Sequence, residues 1–150
     1  MNQIEVRLCR AREHVEPLPL PGYQTPQAAG FDLCADIDLD VTLAPLERRG
    51  IPTGLRMEIP EGFEGQVRPR SGLALRSGIT CLNSPGTVDS DYRGEVVVVL
   101  INLSQAAYTV RRGDRIAQMV LAPVSRAEFV SDAALSTTER SDKGFGSTGR

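Results

Sequence analysis

Val96-Val97-Val98-Val99-Leu100-Ile101-Asn102-Leu103 is the stretch on which the fold turns. Its valines and isoleucine are β-branched and favour extended backbone, and a short, nearly unbroken apolar run of this kind suits a strand covered on both faces. The segment is therefore expected in the middle of a sheet.

The same extended character recurs on either side. Ile4, Val6 and Leu8 alternate with Glu5, Arg7 and Cys9, and Leu55, Met57 and Ile59 alternate with Arg56 and Glu58. A period of two marks half-buried strands. A further strand is expected over 65–68. Tyr108 and Val110 lead through a turn at Arg112, Gly113 and Asp114 into Ile116–Leu121, the pattern of another strand pair, and Ala127–Val130 reads as a last short strand. Residues 14–30 carry Pro17, Pro19, Pro21 and Pro26, which lack an N–H for a ladder, so this stretch is expected to be an extended loop. Only Gly72–Leu75 reads as a helical turn, with Ser71 placed to cap it. From Ser131 the chain is short of apolar anchors, and residues 131–150 are expected to form a flexible arm beside a 1–130 core.

Composition agrees with a single all-β domain. The chain has 150 residues, 41% hydrophobic and 24% charged, with 14 glycines, 10 prolines and no tryptophan. These proportions exclude a charge-dominated disordered chain, and the turn-forming content disfavours a helical bundle. Seventeen basic against nineteen acidic residues give a formal charge of −2, so no general footprint for nucleic acid or an anionic membrane exists. Any anion must be held locally. Cys9, Cys34 and Cys81 are odd in number and widely spaced, which points to reduced thiols that act as small apolar fillers. The N-terminus shows no basic-then-apolar leader pattern, so a cytoplasmic protein is expected. The single histidine, His14, is expected at the surface of the proline-rich loop.

Four segments carry chemistry. Around Gly72, Arg68, Arg70 and Arg76 accompany the hydroxyls of Ser71 and Ser77, which can cradle phosphate or simply be solvated surface. Before the central strand, Asn83, Asp89, Asp91, Tyr92, Arg93 and Glu95 crowd a glycine-bearing stretch whose carboxylates could act as a base or hold a metal, or could form an Asx-bonded turn. In the 111–118 segment, Gln118 is a polar residue inside an apolar run and needs a partner. Finally, Phe145 stands between Gly144 and Gly146 ahead of Ser147 and Thr148, a flexible aromatic that could stack on a base. The glycine spacing is not that of a P-loop.

Together these segments resemble the trimeric dUTP pyrophosphatases (dUTPases) over nearly the whole chain. The matching motifs are Ala29-Gly30-Phe31-Asp32-Leu33-Cys34-Ala35, Arg68-Pro69-Arg70-Ser71-Gly72-Leu73-Ala74, Gly86 through Glu95, Arg112 through Gln118, and Arg140 with Gly144 through Gly149. The resemblance implies a distorted jelly-roll or β-clip barrel with one short helix. It further implies Mg²⁺-dependent hydrolysis of dUTP to dUMP and pyrophosphate by water attack at the α-phosphorus, a reaction that limits uracil in DNA and supplies dUMP for thymidylate synthesis. Mg²⁺ would be held mainly by substrate phosphates and waters. By the same resemblance Asp89 activates the water, Asn83 and Phe145 meet the uracil, and Tyr92 packs against deoxyribose. Arg70, Ser71, Gly72, Gln118, Arg140, Ser147 and Thr148 meet the phosphates, with Asp32 in support. Homotrimers with shared sites are implied, with no membrane and no stable nucleic-acid partner. Two departures stand out: Ser141 and Lys143 occupy positions where the family usually has glycine, and both lack glycine's conformational freedom. The dCTP deaminases share the architecture, but the Asp89–Tyr92 hairpin and the Phe145 tail resemble the dUTPases. A non-catalytic nucleotide-binding scaffold is the other alternative, and the presence of Asp89 weighs against it.

Overall fold

The computed structural model describes residues 3–14 and 16–142. Among them ten strands and one helix follow in the order β1 (Arg7–Arg10), β2 (Phe31–Cys34), β3 (Val41–Leu43), β4 (Arg48–Glu58), β5 (Phe63–Arg68), α1 (Ser71–Ser77), β6 (Ile79–Cys81), β7 (Gly86–Val88), β8 (Glu95–Asn102), β9 (Tyr108–Val110) and β10 (Arg115–Pro123). They form two four-stranded sheets, ordered β1-β4-β8-β6 and β2-β10-β5-β7, and a small β3-β9 ribbon. All pairings are antiparallel. This is the distorted jelly roll expected from the sequence.

The valine-rich run lies inside its sheet as β8, between β4 and β6. Its alternate residues Val96, Val98 and Leu100 are buried and join Leu33, Ile51, Val67 and Met119 in one core shared by both sheets. Each such side chain, fully removed from water, contributes about 1.5–3 kcal/mol. Val97, at 46% exposed, points the other way, so this strand is not covered on both faces within one chain. Asn102, the polar residue of the run, is fully buried yet satisfied: its amide donates to the Leu43 and Ala106 carbonyls, and its Oδ1 accepts from Ser104.

Several expectations change. The first strand pairs only over Arg7–Arg10, although alternating burial begins at Ile4. β9 and β10 do not pair with each other; β9 pairs with β3, while β10 joins β2 and β5. The helix spans a full Ser71–Ser77, and its N-cap is Arg70 in extended conformation with no side-chain cap, so Ser71 is the first helical residue. Residues 127–130 form no strand. Phe129 is 95% and Val130 82% exposed, because no sheet edge in the same chain receives them. Residues 131–142 are exposed and without helix or strand. Among the described residues no helix is long and apolar enough to cross a membrane.

Candidate active site

Two groups of polar residues are built at different places on the β2-β10-β5-β7 sheet. The first gathers where β2, β10 and the start of α1 meet. β2 and β10 set Asp32 opposite Gln118 and Cys34 opposite Arg115. The Asp32 carboxylate, 16% exposed, takes Arg70 Nε at 2.9 Å through one oxygen and Arg115 Nη1 at 3.2 Å through the other. Arg70 Nη1 also donates to the Arg115 carbonyl at 2.9 Å. Gln118 finds its partner in the Pro69 carbonyl, to which Nε2 donates at 2.9 Å. Two guanidiniums on one carboxylate leave net positive charge, with N–H groups to spare for an anion. Ser71, exposed, begins the helix beside this group. Gly72 and Gly30 allow close approach: a Cβ on Gly72 would stand 2.9 Å from Arg76 Nη2, and one on Gly30 3.0 Å from Gln118 Oε1. Burial, and then the neighbouring Asp32 charge, push the Cys34 thiol up, so Cys34 is no ready nucleophile here.

The second set is the turn between β7 and β8, with Asn83 on the preceding β6–β7 loop. Asn83 and Asp89 are exposed, and Gly86 makes room for the Asn83 amide, which lies 3.0 Å from where a Cβ would be. The turn is closed by the Tyr92 N–H donating to the Asp89 carbonyl and by Arg93 Nη1 donating to the Ser90 and Tyr92 carbonyls. Tyr92, 45% exposed, donates its hydroxyl to the Glu95 carbonyl at 3.0 Å. Asp89 lines a cleft of about 900 Å³ together with Phe63, Glu64, Val124 and Arg126.

Ladder register separates the groups. Val88 faces Gly65 on β5, which brings Asp89 to the level of Glu64, while Gln118 faces Arg68. From residue 64 to 68 is four steps of roughly 3.3 Å, about 13 Å along the strand, and β7 and β10 flank β5 about 10 Å apart, for about 16 Å in all. Asp32, Arg70, Ser71 and Gln118 are thus one group and Asp89 with Tyr92 another, while Asn83 lies beside Gly86 and Val67, toward the Arg68 end of β5. Arg140 lies in the exposed 131–142 segment. Phe145, Ser147 and Thr148, with Lys143, lie outside the described residues. Ser141 does occupy the left-handed region, at φ 46°, a conformation costing a non-glycine residue about 1–2 kcal/mol.

Three features escaped the sequence reading. Arg115 shares Asp32 with Arg70; it belongs to the Arg112–Gln118 motif but has no periodic signal of its own. Arg12 pairs with Glu95, 83 residues away. His14 is not a surface residue: its side chain is 19% exposed and Nε2 sits 3.3 Å from the buried Asp36 carboxylate, which Arg112 Nε also reaches at 2.8 Å. Of the cysteines only Cys81 is a buried filler, its thiol pushed up to about 11 by burial; Cys9 is exposed and Cys34 partly so.

The chain is similar to known proteins. The dUTPase family model matches residues 16–149. A deoxyuridine 5′-triphosphate nucleotidohydrolase of Rhizobium etli is 63% identical over 136 residues, covering 89% of this chain and 87% of the relative. One from the Wolbachia of Brugia malayi is 57% identical over 99% of this chain and 96% of its own. A mutant of the Staphylococcus bacteriophage 80alpha dUTPase with dUpNHpp superposes with a TM-score of 0.83 at 23% identity, covering 97% of this chain and 99% of that one, a likeness of fold. A mutant of the dUTPase from phage phi11 of S. aureus, for which coordination of a structural Mg(II) ion is described, does so at 0.75 and 20% identity, covering 89% of this chain and 99% of that one. With the family model spanning nearly all its length and relatives this similar, the chain belongs to the dUTPase family and is an enzyme of the nucleotidohydrolase class.

Proposed function

We propose that this dUTPase converts dUTP and water to dUMP and pyrophosphate at sites shared between the subunits of a homotrimer, with Asp89 as general base. The observation that carries the reading is the division of the site within one chain. The cationic group around Arg70 and Gln118 suits a phosphate chain, and the exposed carboxylate of Asp89 suits a water. A base must lie within about 3 Å of the proton it takes, which a separation of about 16 Å on one sheet does not favour. Two copies bring the groups together, and the exposed apolar Phe129, Val130 and Leu135 that follow β10 suit burial against a neighbour. The 131–150 arm, carrying Arg140, Phe145, Ser147 and Thr148, then serves as the lid over uracil and phosphates on a 1–130 core.

In this reading Asn83 and hairpin backbone groups read the uracil edge, since a cytosine there leaves buried polar groups unpaired. Tyr92 forms the wall against deoxyribose. Asp89 accepts the proton of the water as its oxygen attacks the α-phosphorus, and pyrophosphate leaves with its charge met by Arg70, Ser71, Gly72 and Gln118.

Mg²⁺ in this reading would be held mainly by substrate phosphates and waters. Among the described residues no three His, Cys, Asp or Glu side chains converge, and Mg²⁺ is commonly bound by substrate phosphates, retained waters and one or two carboxylates. Asp32, the carboxylate beside the cationic group, already has each oxygen on a guanidinium, so its part in this reading is to hold Arg70 and Arg115. When bound, the ion neutralises charge developing on the phosphates.

Asp89→Asn tests the assignment. Turnover of dUTP is expected to fall by about 10²–10⁴, while affinity for a non-hydrolysable dUTP analogue, read by calorimetry, is retained. Affinity and turnover lost together would make Asp89 a binding residue. Pyrophosphate release measured across dUTP, dCTP, dTTP and UTP in the same buffer should be confined largely to dUTP.

A further inference from the structure

The third motif contains a carboxylate that the chemistry above leaves unused. Glu95 opens β8 with its side chain 22% exposed, and Nη2 of Arg12 donates to both its oxygens, at 2.8 and 2.9 Å. Its Oε1 also accepts the Gly54 N–H at 2.8 Å. Arg12 is steadied by a 3.2 Å bond from Nη1 to the Asp36 carbonyl, and the Gly54 carbonyl accepts from the Ala11 N–H. These bonds converge where the β4–β8 ladder is interrupted: pairing stops at Pro52 and resumes with Arg56 opposite Glu95. Glu95 thus supplies a partner that the irregular ladder does not offer Gly54, and Arg12 balances its charge. The first residue of β8 is fixed by its side chain as well as by its backbone.

Glu95 also faces the hairpin. Its carbonyl accepts the Tyr92 hydroxyl, and the ring lies so close over Gly94 that a Cβ there would stand 2.2 Å from Tyr92 Oη. The orientation of this exposed ring therefore depends on where one backbone carbonyl sits. We propose that Arg12, acting through Glu95, is a positioning residue that sets the Tyr92 ring and thereby the discrimination between deoxyribose and ribose. The inference rests on the reading of Tyr92 as the wall against the sugar. A wall excludes one extra hydroxyl only while it is stiff, because a yielding ring moves aside to admit it. The clamp supplies that stiffness from a part of the chain 83 residues away.

The test compares the full-length parent with Arg12→Ala, Arg12→Lys and Tyr92→Ala, measuring kcat and KM on dUTP and UTP together with the urea unfolding midpoint. Tyr92→Ala is expected to collapse the dUTP:UTP ratio of kcat/KM. Arg12→Ala should lower that ratio about tenfold, mainly through better use of UTP, since misplacement by about 1 Å is worth up to about 100-fold. The dUTP kcat should stay within about twofold, and Arg12→Lys, which keeps a charged donor for Glu95 but not the second nitrogen on the Asp36 carbonyl, should recover part of the ratio. An unchanged ratio in Arg12→Ala beside a collapsed one in Tyr92→Ala overturns the inference and leaves the sugar wall standing. An unchanged ratio in Tyr92→Ala overturns both. Activity on the two nucleotides falling in step with the unfolding midpoint makes the clamp a fold element alone and overturns the positioning role. Should Arg12→Ala fail to fold, Glu95→Gln keeps the acceptor without the charge and carries the same expectation at about threefold.

Discussion

Asp32 does more than accompany the phosphate group. Its two oxygens are each committed to a different guanidinium, Arg70 at 2.9 Å and Arg115 at 3.2 Å, so it holds both cations in place before substrate arrives. An asparagine has one acceptor oxygen and no charge. Asp32→Asn is therefore expected to release one arginine and weaken the capture of triphosphate. At about 1.5–3 kcal/mol for a charge-assisted bond, kcat/KM for dUTP should fall roughly ten- to a hundredfold. Steady-state kinetics would check this, and a change below twofold would count against pre-orientation. Residue by residue, the motifs made most of this group legible, because Asp32, Arg70 and Gln118 lie in short recognisable runs. The long-range pairs were not. Arg12 with Glu95 and His14 with Asp36 are joined only by the fold, and no local spacing announces a partner 83 residues away.

Among the elements, β8 was the most legible and the three-residue strands the least. A run such as Val96–Leu100 has few alternatives to a buried strand, whereas β3, β6 and β7 are too short to show a period and are defined by the ladders that receive them; β9 was legible as a strand but not in its partner, β3. That is also why 127–130, extended in pattern, forms no strand: a strand needs a ladder, and none of the edges β1, β6, β2 or β7 pairs with it. The interruption in β4 is a built feature. Gly54 has φ +70°, and a Cβ there would meet Asp36 Oδ2 at 2.1 Å. Gly54→Ala combines left-handed strain of about 1–2 kcal/mol with overpacking of about 1–3, so a loss of about 2–5 kcal/mol is expected in urea unfolding. A loss under 1 kcal/mol would mean that the β4 bulge and the Asp36 carboxylate relax freely around it.

At the scale of the whole molecule, the division of the site predicts complementation. Under the proposed assignment, Asp89→Asn chains keep the cationic group and lack the base; Arg70→Ala chains keep the base and lose one guanidinium of that group. Each alone should be nearly inactive. Mixed after dissociation and reassociation, they should regain a fraction of parental turnover, because some interfaces then join an intact Asp89 to an intact Arg70. No recovery in a mixture shown by native mass spectrometry to contain hybrid trimers would place both halves within one chain.

The opposed ends of β5 have one more consequence. If catalysis is completed only by a neighbour, a solitary chain is silent however well it folds, and specific activity should fade on dilution before any spectroscopic sign of unfolding. A molecule that simply kept the copies apart would then inhibit this enzyme without resembling a nucleotide at all.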